Sequence, residues 1–135
     1  MTGLHLALYQ HTELVKKLVP SVGLHLDSCG VKATMYASQW FLTFFSYNFP
    51  IPIALRLFDL MLVEGAALTM VRFSVGILKV NETRLLDTDD LEELLGMLKG
   101  EMLVLGEWSV DELIVNSFSF ADRILQSDLG DLEKT

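Results

Sequence analysis

Between Ala33 and Leu55 the chain carries no Asp, Glu, Lys or Arg. About 20 apolar residues are enough to cross a bilayer as a helix, so this window must be either a membrane span or the interior of a helical domain. Its contents favour the interior. Ser38, Gln39, Ser46 and Asn48 interrupt the apolar run. Pro50 and Pro52 would remove helix donors and clash with the preceding turn near the middle of any span. Beyond the prolines, Ile53, Ala54, Leu57, Phe58, Leu60, Met61 and Leu62 resume a helical pattern, with Arg56 and Asp59 three positions apart on one face. The window therefore predicts two packed helices, Thr34 to Tyr47 and Ile53 to Glu64, joined by a Pro-marked turn. Direct membrane insertion is not expected.

The same punctuation divides the rest of the chain. Leu4, Leu6, Leu8, Leu14, Val15, Leu18 and Val19 predict a helix ending at Pro20, and a short helix to Asp27 follows with Gly30 as its stop. Gly65 ends the helix after the central turn, and Ala66 to Val80 reads as the next, its apolar residues spread around the circumference. Asn81 and Glu82 open a polar connection. Asp87 is the expected cap of the following helix, whose apolar stripe is Leu91, Leu94, Leu95 and Leu98. Ser109 with Glu112 has capping-box spacing, and Leu113, Ile114, Phe118, Ala121 and Leu125 suggest one last helix. No alternating strand pattern competes. The expected fold class is all-α, with about six to seven helices.

Of the 135 residues, 51% are hydrophobic, which is high for so short a soluble chain and implies apolar surface awaiting a partner or self-association. The net charge of −8 is unevenly placed. Residues 1–81 hold six Lys/Arg against four Asp/Glu, and residues 82–135 hold four against fourteen. An acidic second part without a basic patch excludes nucleic acid as the natural partner. Cys29 is the single cysteine, so no internal disulfide or Cys-pair metal site can form, in keeping with a reducing compartment. The N-terminal residues lack the pattern of a secretory leader.

Candidate chemistry is sparse. His25, Asp27 and Cys29 alternate as possible ligands, yet no second cluster completes a site. Asp87, Asp89 and Asp90 imitate the opening of a calcium loop, but Glu92 stands where glycine is required and Leu98 where the bidentate glutamate belongs. Arg56 and Asp59, charged residues in an apolar helix, read as a structural ion pair. Trp40 reads as core. No phosphate-binding glycine loop, nucleophile elbow or H-E-x-x-H is present, and no metal or cofactor is expected.

The ordered series "LVP" at Leu18 to Pro20, "LHL" at Leu24 to Leu26, "YASQWFLTFF" from Tyr36, "FPIPIALRLFD" from Phe49, then "EG", "ILKVNE" and "LEELLGMLKG" resembles the C-terminal half of the TBC domain, which activates Rab GTPases. The resemblance spans Gly3 to Lys99 and implies a helical subdomain whose partner is a small GTPase of the Rab type in vesicle trafficking. It divides the chain into residues 1–105, a partial TBC domain, and residues 106–135, an acidic helical extension. It also makes Tyr36, Ser38, Gln39 and Trp40 candidates for the Rab-facing surface. Phe58 departs from the tryptophan the family commonly has there.

The family's catalytic arginine lies in I-x-x-D-x-x-R and its catalytic glutamine in Y-x-Q, and this sequence contains neither motif; Tyr36 and Gln39 are spaced one residue too far apart. The expectation is a chain without activity alone, completed by an N-terminal TBC half. It would be cytoplasmic, reaching endomembranes through its GTPase partner. A non-catalytic GTPase- or helix-binding module and a small helical membrane-associated protein are the alternatives.

Overall fold

The computed structural model describes residues 3–47, 49–99 and 110–121. Among them the chain forms eight helices and no strand. Helix α1 (Gly3–Leu18) stops where Pro20 removes the next donor, and α2 (Pro20–Ser28) starts with that proline in its first turn, where a missing N–H costs nothing. Helix α2 closes at Gly30, whose φ of 83° is the left-handed value glycine adopts freely. The Val31 N–H returns to the Leu26 carbonyl at 2.8 Å and Gly30 N–H to Asp27 at 3.1 Å, completing a Schellman cap.

Helix α3 (Ala33–Leu42) ends five residues before the expected Tyr47 by the same device, without a glycine. The Phe45 N–H bonds to the Trp40 carbonyl at 2.7 Å, while Phe44 and Phe45 hold φ values of 51° and 68°. Left-handed backbone costs a non-glycine residue roughly 1–2 kcal/mol. Burial offsets it: Phe45 is fully enclosed by Trp40, Phe41, Phe49 and Phe73, and covering such a ring stabilises by about 2–3 kcal/mol. The reversal folds Phe45 and Phe49 back under α3 instead of extending them along it.

Helix α4 (Ile51–Glu64), with Pro52 in its first turn, and α5 (Ala66–Val80) are joined at Gly65, φ 96°. Helix α5 is buried almost all round from Leu68 to Leu78, as its unstriped apolar pattern requires. It packs against α1 and α4 and against α6 (Glu82–Leu86) and α8 (Val110–Ala121). Helix α7 (Leu91–Lys99) lies against α3.

Two local expectations are corrected. Asn81 and Glu82 open a helix, α6, instead of a polar connection; Leu85 anchors it in the core and Glu82 accepts bonds from Ser21 at 2.7 Å and Lys79 at 3.1 Å. Asp87 closes α6, and α7 is capped by Asp90, whose carboxylate accepts the Glu93 N–H at 3.1 Å. Asp90→Ala should therefore lower stability by about 1 kcal/mol in denaturant unfolding. An equal loss from Asp87→Ala would contradict this assignment. The Ser109 half of the expected capping box lies outside the described residues.

The last helix is an integral part of the core. Gly76 of α5 approaches α8 so closely that a Cβ there would fall 2.2 Å from the Ser117 carbonyl oxygen, and Phe118 stacks on Phe73 at 6.2 Å.

Candidate functional site

The residues proposed from sequence to face a partner surround α3. Tyr36 and Trp40 are built into the interior, at 3% and 0% exposure, so neither presents a side chain to a partner in this fold. Ser38 lies on the opposite side of α3 and Gln39 on its flank, both half-buried. The 3.6-residue period places 36 and 40 on one face, and ring contacts with His11 of α1 and, for Trp40, with Phe45 and Phe49 make that face the inner one.

Tyr36 belongs to a buried relay. Its hydroxyl lies 2.8 Å from His11 Nε2, and His11 Nδ1 lies 2.8 Å from Ser74 Oγ. The Ser74 hydroxyl donates to the Val71 carbonyl at 2.8 Å, which leaves its oxygen to accept. One proton arrangement satisfies every atom: Tyr36 O–H to Nε2, Nδ1–H to Ser74, and Ser74 O–H to the backbone. Only a neutral imidazole can do this. Burial pulls the His11 pKa from 6.5 to about 3 and pushes the Tyr36 hydroxyl above its ordinary range. The relay fastens α1, α3 and α5 together and takes up no proton at neutral pH.

A pH dependence follows. The unfolded chain protonates His11 near pH 6.5 and the folded chain only near pH 3. The unfolded state thus binds the extra proton, and stability that is whole above pH 6.5 falls as the pH drops, by up to about 1.4 kcal/mol per unit. Unfolding measured between pH 7 and pH 5 should show that slope, reduced in His11→Gln. Identical slopes would mean that water reaches the ring.

Trp40 ties α3 to α7. Its indole N–H donates to the Leu98 carbonyl at 2.9 Å, one of the final carbonyls of α7 that no helical N–H can reach. Its ring packs edge-on against Tyr36 and Phe49 at 5.1 and 5.6 Å.

Among the described residues, clefts flank this core on at least two sides. One, of about 350 Å³, lies between α1, α2 and the start of α3, walled by Val15, Leu24, Leu26 and Val31 with Lys16 and Lys32 among its polar lining. Another, of about 470 Å³, runs between α1, α3 and the start of α5 along Leu4, Ala7, Leu42, Phe44 and Met70.

The remaining sequence candidates separate. Asp27 is paired with Lys32 at 2.8 Å, which holds its carboxyl below the usual range. His25 lies 2.7 Å from the Thr88 carbonyl and 3.7 Å from Asp89, while Cys29 sits 3.9 Å from its ring, so the trio does not converge on a metal. Arg56 and Asp59 are both exposed on α4, and burial therefore does not oblige them to pair. Among the described residues a buried guanidinium is that of Arg72, 8% exposed and 3.1 Å from Glu64 across the α4–α5 turn. Among the described residues no helix is long and apolar enough to cross a membrane.

The family model described as the RabGAP TBC domain matches residues 1–124. The chain belongs to the RabGAP TBC family. That match passes the boundary drawn at 105 and takes in all of α8. GTPase-activating protein GYP5 of Saccharomyces cerevisiae is 43% identical over 102 residues, covering 76% of this chain and 11% of the yeast protein. Ecotropic viral integration site 5 protein of Mus musculus is 36% identical over 89 residues, covering 66% and 11%. Rab GTPase-activating protein eat-17 of Caenorhabditis elegans is 35% identical over 124 residues, covering 92% and 13%. The TBC chain described here thus spans 11–13% of the length of these three curated relatives.

Proposed function

We propose that this chain is the supporting part of a Rab GTPase-activating domain, engaging a small GTPase of the Rab type without accelerating hydrolysis on its own. The family match over residues 1–124 carries the reading, together with a sequence that holds neither I-x-x-D-x-x-R nor Y-x-Q. Activation in this family needs an arginine that neutralises charge developing on the phosphoryl oxygens and a glutamine that orients the attacking water. The arginine alone is worth on the order of 10³ to 10⁵ in rate.

The arginines of the core are committed elsewhere: Arg72 to Glu64, and Arg84 to Asn81 at 3.1 Å. A TBC segment bearing both motifs supplies the missing groups, and this chain supplies the packed support for it. Ser38, on the outer side of α3, and Gln39, on its flank, are the part of the Rab-facing proposal that the burial pattern leaves partly accessible. The chain works in the cytoplasm and reaches endomembranes through its GTPase.

Phosphate release across a panel of Rabs should stay at the intrinsic rate with the chain alone and rise when an N-terminal TBC half is added. Tenfold stimulation by the chain alone, abolished by Arg56→Ala, would overturn the reading. Binding of the added half with hydrolysis still at baseline would instead identify a non-catalytic interaction module.

A further inference from the structure

Helix α4 buries Ile53, Ala54 and Leu57 and leaves a second apolar line in water. Ile51, Leu55, Phe58 and Leu62 are 62%, 55%, 37% and 87% exposed. Their spacing of four, three and four residues is that of the a and d positions of a coiled-coil seam, and at 3.6 residues per turn they fall within about 60° of arc. A scattered set of surface leucines would need no explanation, but a continuous seam on one helix does.

The seam is complementary to itself. In an antiparallel pair centred between residues 56 and 57, Ile51 lies opposite Leu62 of the second copy and Leu55 opposite Phe58, so every apolar residue meets another. No two like charges share a layer: Arg56 falls across from position 57 and Asp59 from position 54. A two-fold interface requires this property, because each copy offers the same patch.

Phe44, 6.4 Å from Phe58 ring to ring, extends the patch from α4 onto the end of α3. The four seam side chains and Phe44 leave roughly 500 Å² in water per copy, so facing copies that cover all of it remove about 1,000 Å², the lower limit of a specific interface. We infer that two copies of this chain associate through α4, antiparallel about a two-fold axis, with Ile51, Leu55, Phe58 and Leu62 forming the seam. The inference does not depend on GTPase activation.

Sedimentation equilibrium of the full chain should give a concentration-dependent dimer. Leu62→Glu should raise its dissociation constant more than tenfold without changing helix content, while Leu24→Glu, at a leucine also largely exposed but on α2, should leave it unchanged. For orientation, Leu55→Cys and Phe58→Cys are made separately on a Cys29→Ser background. Mixed, they should form a disulfide faster than either variant alone. A chain that stays monomeric, a dimer indifferent to Leu62→Glu, or faster self-linking of each single variant would overturn the inference; a monomer would leave the seam to a different protein.

Discussion

Replacing Trp40 by alanine is expected to lower the stability of the chain by about 4 kcal/mol, the magnitude for emptying a fully buried aromatic site. For a chain of this length the midpoint should fall by on the order of 15 °C. Two effects combine: the ring is the centre of an aromatic cluster with Tyr36, Phe45 and Phe49, and the indole N–H satisfies the Leu98 carbonyl at the end of α7. Trp40→Phe separates them. It keeps most of the packing and leaves the carbonyl unpartnered, so a loss of about 1–2 kcal/mol is expected. If Trp40→Ala cost under ~1 kcal/mol by denaturant unfolding, α3 would not be docked as described. The partner-facing role considered for this residue from sequence would then reopen.

The second large effect is expected at Gly76. A methyl group there meets the Ser117 carbonyl oxygen, carbon and Cα at 2.2, 2.8 and 3.0 Å, all of them backbone, so no side chain can swing aside. Helix α8 must shift away from α5, and Gly76→Ala should destabilise by about 3 kcal/mol although alanine is the better helix former. Gly96, mid-helix in α7 with nothing within 4 Å of its notional Cβ, provides the contrast. Gly96→Ala should stabilise by about 0.5–1 kcal/mol. Opposite signs at two helical glycines would establish that α8 is a wall of the core. Matching gains at both sites would detach it and favour a separate extension after residue 105.

These two glycines bear on function through the family match, which extends to residue 124 and includes α8. Contacts through His11, Trp40 and Gly76 fasten α1, α3, α5, α7 and α8 to one another. The apolar face of α4 lies outside that set of contacts. The fastening and the proposed self-association can accordingly be tested in the same preparation without one variant disturbing the other.

The sequence by itself determined the all-α class, the order of the long helices and the family. Pro20, Gly30 and Gly65 act locally, through a missing donor or a free left-handed φ, so their effect is legible without knowing the fold. Seven of the eight helices follow from such signals and from apolar periodicity. What tertiary structure decided was everything that depends on which residues meet. The chain reverses at Phe44 and Phe45 against their intrinsic preference, because four aromatic neighbours compensate the strain, and no local rule places a stop there. Helix α6 exists because Leu85 finds the core, Tyr36 faces inward because His11 waits for it 25 residues away in sequence, and Gly76 matters only because Ser117 arrives against it. Periodicity tells which residues share a face of a helix; burial free energy, summed over partners distant in sequence, decides which face turns in.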